Sequence, residues 1–449
     1  MTAPWPPPPP PPAAPAGPPG GGDRRHRLHP LSPLLHSAKA LAVIVAALSW
    51  QGYAQLGTLR WLVVVAALVA LAGVWSVISW FSTGYRLAGR ELRIDEGVLW
   101  RRSRAIPLER LQSVEVRRPL LAQLAGLAEL RLEVAGGAKT EAPLAYLGVA
   151  EAHTLRDRLL AISHAGTPAA AAAPPPAAVL HTVRNEDLVV AQLLSPEVWA
   201  VPLGVAVVLY QAVAGHDWGF LALASTGTAM LAVFAQPIRR ALRHWRFTVA
   251  WAPVGLAVTH GLLDHRQQVV PLDRVQSVRV VWPLLWRRRR WLRLHLDVAG
   301  YSPGENGEQT ADTLLPVGTA DVARRLLPVV LPGTDWAALP STPPPARARW
   351  LAPLAAPYLG VGVTPYVVAV RSGVLTRRLT LVGRARIQSV RVTAGPVQRL
   401  LDLATVHVDT AAGSVAIAHR CSADARALVT ALAMVLPSGR VVARGGAAE

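Results

Sequence analysis

The chain has 449 residues, of which 52% are hydrophobic and only 16% charged, with a mean hydropathy of +0.31. Soluble proteins carry roughly a quarter charged residues, so the composition argues against a purely water-soluble protein, and the length suggests about three domains. One cysteine, Cys421, excludes an intrachain disulfide framework, a CxxC redox pair and an all-cysteine metal cage, while the net charge of +19 invites an anionic partner such as phospholipid or nucleic acid.

Residues 1–30 form a Pro-rich tail expected to be disordered or polyproline II. Residues 40–59 and 61–85 then run without a charge, broken only by Arg60, and 198–216 and 218–238 do the same around Asp217. A helix needs about 20 mainly apolar residues to cross the hydrocarbon core, so these read as two transmembrane hairpins, at 31–84 and 195–238. A cleaved signal peptide does not fit, because the first run begins far from the N-terminus and a second span follows at once. Arg24, Arg25, Arg27 and Lys39 precede the first hairpin, Arg86, Arg90 and Arg93 follow it, and Arg239, Arg240, Arg243 and Arg246 follow the second. The turns hold Arg60 alone. The positive-inside rule therefore places both turns outside and the large segments and both termini in the cytoplasm, with Arg239, Arg240, Arg243 and Arg246 as topology anchors.

Between and after the hairpins the chain repeats itself. "IPLERLQSVEV" at 106–116, "VPLDRVQSVRV" at 270–280 and "VGRARIQSVRV" at 382–392 share Gln-Ser-Val behind an arginine and an aliphatic residue. A glycine stands fifteen residues before each glutamine (Gly97, Gly261, Gly373), and a proline and a glycine seventeen apart follow it (Pro119 and Gly136, Pro283 and Gly300, Pro396 and Gly413). Each copy reads as a β-hairpin turning at the first glycine, an alternating strand ("LRLEV", "LRLHLDV", "VHVDT") and a closing helix. The modules fall at 85–163, 239–332 and 349–437, with linkers at 164–194 and 333–348 and a tail at 438–449. The third module lacks its own hairpin. Its uncharged run 350–370 is broken by Pro353, Pro357 and Pro365, so it reads as the lead-in to a strand and not as a fifth span.

A two-span hairpin followed by a strand-rich module with PL-x-R-[LV]-Q-S-V, then the same again, resembles the bacterial pleckstrin-homology-like family of type 2, the YdbS/YdbT-like membrane proteins. The resemblance covers about 31–437 and implies PH-like modules, each a bent β-sheet capped by a C-terminal helix, with no catalytic residues to carry over. The expected fold class is thus an α+β membrane protein of two transmembrane helical hairpins and three PH-like modules. Gly383, where the other copies have Pro-Leu, departs from the pattern.

No phosphate loop, HExxH, GxSxG or CxxC motif is present, and ionisable groups are missing from the runs where a transport pathway would keep them. No cofactor, metal site or catalytic residue is expected, and no nucleic-acid-binding motif accompanies the basic charge. The candidate site is basic and aromatic. In "VWPLLWRRRRWL", Trp282, Trp286 and Trp291 interleave with Arg287, Arg288, Arg289 and Arg290, the composition of a surface lying on anionic headgroups. Arg117 and Arg118 hold the corresponding place in the first copy. The alternative is that these arginines are merely solvated and the tryptophans pack inside. The expected function is a non-enzymatic multi-pass inner-membrane protein presenting three cytoplasmic PH-like modules to anionic lipid or a membrane partner. The competing reading is a scaffold that docks another membrane protein, or further copies of itself.

Overall fold

A computed structural model describes residues 59–75, 84–96, 102–134, 141–164, 178–195, 235–252, 255–299, 313–336 and 338–433, with isolated residues between them. The chain divides into two compact units, Met1–Leu111 with Leu144–Thr167, and Gln112–Pro143 with Pro168–Glu449.

In the first unit, β1 (His26–Arg27), β2 (Gly84–Ala88), β3 (Glu91–Glu96) and β4 (Arg102–Pro107) form an antiparallel sheet in that order. Tyr85 and Leu87, Leu92 and Ile94, and Ile106 are buried, the period-two pattern of a half-covered sheet. The helix Val149–His164 buries Ala152 and Leu159, and the Tyr85 hydroxyl donates to Glu151 Oε1 at 3.1 Å.

The second unit holds β5 (Leu111–Pro119) and β6 (Leu127–Val134), and β7 (Glu141–Gly148) carries the chain back to the first. Next come β8 (Val179–Thr182), β9 (Thr248–Ala252), β10 (Gly255–His260), β11 (Asp264–Pro271), β12 (Val275–Trp282), β13 (Trp291–Val298) and β14 (Thr313–Thr319). The third copy supplies β15 (Gly360–Val363), β16 (Val367–Ser372), β17 (Arg377–Gly383), β18 (Ile387–Thr393), β19 (Leu403–Thr410) and β20 (Gly413–Cys421). Helices Ala320–Val330 and Ser422–Ala433 close the second and third copies.

Every copy reuses the same local devices. A single 3-10 turn, at Leu108–Arg110, Leu272–Arg274 and Arg384–Arg386, swings the chain from one sheet into the Gln-Ser-Val strand. The residue before the turn has φ −65°, −67° and −62°, so Gly383 adopts the conformation that proline fixes elsewhere. In the second and third copies the glutamine is the extra residue of a β-bulge, between Val275 and Ser277 and between Ile387 and Ser389. The serine hydroxyl next to it donates across the strands to a carboxylate, Ser277 to Asp297 and Ser389 to Asp409, and an arginine two residues on (Arg279, Arg391) clamps the same group. The motif is therefore a structural lock. Gly126, Arg290 and Asp402, at one position counted from each glutamine, all take positive φ (68°, 56° and 50°) before the next strand.

The hairpin glycines Gly261 and Gly373 have φ 105° and 87°, and a Cβ at either would collide with a backbone carbonyl, of Asp264 or Thr376. Gly261→Ala is expected to cost roughly 2 kcal/mol, read as a lowered midpoint in chemical denaturation of the full chain.

Three stretches read as connections carry structure. The expected linker 164–194 contains β8 and the helix Asn185–Leu193, whose Leu188 and Ala191 are fully buried in the core of the second copy. The Pro/Ala run ends before these residues, and its composition drew the boundary too far. Likewise β1 lies in the expected N-terminal tail and pairs with β2, and Thr342 in the expected linker 333–348 bridges to Val361. The first two copies thus begin one strand earlier than the repeat motif suggests, and the third adds a single bridge.

No helix among the described residues is long and apolar enough to cross a membrane. The expected spans 40–59, 198–216 and 218–238 lie almost wholly outside the described residues. Of 61–85, residues 61–75 are helical, continuing from 59, with Leu62, Val63, Val69, Leu71, Val74 and Trp75 all exposed. Residues 346–358 of the third copy hold two 3-10 turns, Ala346–Trp350 and Ala356–Tyr358, ahead of β15.

Candidate lipid-contact site at the module joints

Successive copies are joined edge to edge. β5 of the first pairs antiparallel with β11 of the second, and β12 of the second with β17 of the third. The register is the same at both joints. Arg118 faces His265 and Val116 faces Gln267, as Trp282 faces Arg377 and Val280 faces Leu379. At the second joint the core is continuous, with Val278 and Val280 in one cluster with Leu379 and Leu381.

A side-chain pin repeats as well. Gln123 Nε2 donates to the Leu262 carbonyl at 3.2 Å, and Arg287, at the matching position, donates to the Val374 and Leu375 carbonyls at 3.0 and 2.6 Å. The first joint is also bolted by charge. Asp264 accepts from Arg117 (2.7 Å) and Arg266 (2.9 Å), which stand directly opposite each other. Burial alone would raise the Asp264 pKa, but the hydrogen bond from Arg117 and the Arg266 charge outweigh it and hold the carboxyl below its ordinary value. Glu115, buried in the same joint, is shifted the other way by desolvation.

Both joints end in an apolar tip. At the first, the short helix Leu120–Leu124 exposes Leu120, Leu121 and Leu124, and the β10–β11 turn beside it exposes Leu262 and Leu263. At the second, Leu284 and Leu375 are exposed in the same places, and Arg288, Arg289 and Arg290 stand exposed on the rim.

The candidate residues divide accordingly. Trp286 and Trp291 are buried, 1% and 7% exposed, with Trp286 Nε1 donating to the Ala191 carbonyl at 3.1 Å. Trp282 is half-buried and stacks on Trp336 at 5.6 Å. Arg289 lies over the Trp291 ring and Arg293 over the Trp286 ring, so the interleaving of cation and aromatic builds cation–π packing around a core. Arg287 is spent on the pin, Arg117 on Asp264, and Arg118 is half-buried. Arg288, Arg289 and Arg290 keep their surface position.

Of the four anchor arginines, Arg239 and Arg246 are exposed and Arg240 and Arg243 half-buried. The segment 235–246 docks on the second copy. His260 Nδ1 bonds the Arg243 carbonyl at 2.7 Å, and His244 and His260 pack on Phe247. Burial lowers the His260 pKa to about 4 and pushes His244 well down, so both are neutral near pH 7. Among the described residues no group of three or more His, Cys, Asp or Glu side chains could hold a metal.

The leucine tips were missed from sequence because an isolated leucine carries no local signal of exposure. Their places beside the repeat's Pro and Gly, seen in two copies together, could have revealed them.

Three copies of a strand-rich module, each closed by a helix, define a protein built of PH-like modules. The profile of the Bacterial PH domain family matches residues 40–162, 198–332 and 336–434, and the chain belongs to that family. It is similar to the UPF0699 transmembrane protein YdbT of Bacillus subtilis (strain 168), 23% identical over 269 residues, 54% of this chain and 55% of that protein. The match thus spans about half the length of this curated relative.

Proposed function

We propose that the chain is a non-enzymatic multi-pass membrane protein whose cytoplasmic PH-like modules rest on an anionic leaflet through the leucine tips of their joints. The hairpins at 31–84 and 195–238 would hold the modules at the bilayer of the cell (inner) membrane, with both termini cytoplasmic. The exposed apolar faces of 59–75 and the transmembrane relative support that reading. The observation that carries lipid contact is the tip itself: exposed leucines at matched places of two joints, rimmed at the second by Arg288–Arg290. Apolar side chains would enter the headgroup boundary while the guanidinium groups pair with phosphate. Tethering by the hairpins raises the effective concentration, so each contact can be weak.

The test uses the full chain in nanodiscs, with a fluorophore attached through Leu121→Cys in a Cys421→Ser background. Quenching by brominated lipid is expected to rise with anionic lipid. Arg288 and Arg290 replaced together by alanine should weaken headgroup contact at the second tip by about 2 kcal/mol, some thirtyfold, read from a second fluorophore at Leu284→Cys. Quenching that ignores lipid charge would instead favour a scaffold that docks a membrane protein.

A further inference from the structure

We infer that the chain associates head to tail with copies of itself, the outer edge of β18 in one copy pairing antiparallel with the outer edge of β4 in the next. Inside the chain the Gln-Ser-Val strands of the first and second copies pair with the strand that precedes the 3-10 turn of the following copy, twice and in one register. Among the described residues the series leaves one strand of each kind unmatched. β18 ends its sheet, β18-β19-β20, and β4 ends its own, β1-β2-β3-β4.

Burial tells the used edges from the open ones. Gln276 and Ser277 of β12 are 6% and 2% exposed, whereas Gln388 is exposed and Ser389 half-buried at the same positions of β18. On the other side, Thr380 and Leu381 of β17 and Gln268 and Val269 of β11 are buried, while the matching Arg104 and Ala105 of β4 are exposed. Arg399 stands exposed at the position from which Gln123 and Arg287 pin the next module.

The internal joints fix the expected register. Arg279 faces Thr380, so Arg391 would face Arg104. Opposed arginines already occur at the first joint, where Arg117 faces Arg266 across Asp264, and Arg391 brings its own counter-charge in Asp409 at 3.0 Å. An open sheet edge is a ready template for a strand of the right register, and a contact joining two different surfaces continues into a ring or a row.

The inference does not rest on lipid contact, and neutral detergent tests it alone. In a Cys421→Ser background, full-length Arg391→Cys and Arg104→Cys chains are co-expressed and mildly oxidised. A cross-linked dimer is expected, at about ten times the yield of Gln388→Cys with Arg104→Cys, because an antiparallel pair bridges only when its Cα atoms lie within about 7 Å. Equal yields from both pairs, no dimer, or a bridge formed only when both cysteines share one chain would overturn the inference. Should a substitution disturb folding, the wild-type particle decides by light scattering: a multiple of the chain mass supports the inference, and a single chain mass overturns it.

Discussion

Trp286→Ala is expected to unfold the second module rather than to release it from a membrane. The side chain is 1% exposed, meets Trp291 edge-on at 6.4 Å, lies under Arg293 and donates to the Ala191 carbonyl. Truncating a buried tryptophan costs about 3–5 kcal/mol, and here it also leaves a buried carbonyl without its donor. Because Ala191 belongs to the helix Asn185–Leu193, the loss should free that helix along with the module. Limited proteolysis of the full chain in detergent would show new cleavage within 185–193 and a lowered unfolding midpoint. A variant with an unchanged midpoint but weaker lipid contact would return Trp286 to the surface role that its composition suggested.

Asp264→Ala should open the first joint. Arg117 and Arg266, each with 16% of its side chain exposed, would then face each other without their shared carboxylate, Arg266 keeping only the longer contact to Glu115 Oε1 at 3.8 Å. Removing one partner of a buried ion pair costs about 3–5 kcal/mol, and the partial exposure of Asp264 points to the lower end, about 3 kcal/mol. Arg117→Ala in the same background should cost less than it does alone, since it removes the repulsion. The pH dependence has a defined sign. The folded pKa of Asp264 lies below its ordinary 3.8, so its contribution is present above that value and is lost as pH falls through the folded value. His260, lowered from 6.5 to about 4, acts in the same direction, its contribution fading as pH drops from 6.5 towards 4. Glu115, raised by burial, opposes them: its contribution is present below its ordinary 4.5 and is lost as pH rises through its folded value. Denaturation midpoints across this range should fall with acid in the wild type and fall less in His260→Gln.

The repeat was legible because each matched residue answers a local demand. Gly261 and Gly373 supply positive φ, the serine of the motif reaches a cross-strand carboxylate, and the alternation of "LRLHLDV" buries Leu292, Leu294 and Leu296. What strand pairs with what was not legible. β12 meets β17 across nearly a hundred residues, and nothing in either segment names its partner. The tryptophan–arginine stretch misled for a different reason. Aromatic rings and cations together describe a membrane belt and a cation-capped core equally well, and only burial separates the two. The left-handed position shared by Gly126, Arg290 and Asp402 was hidden, since two of its three occupants are not glycine.

In the first two copies the first strand sits on the far side of an inserted stretch from the strand it pairs with: β1 from β2 across 28–83, and β8 from β9 across 183–247. The period of duplication and the period of folding are therefore out of phase. A deletion from one Pro-rich run to the next removes β8 to β14 together with the helix Ala320–Val330, and brings β5 next to β17 as its natural successor. A chain shortened by that whole period is expected to keep its joint, whereas a cut within 28–83 or 183–247 separates β1 from β2 or β8 from β9.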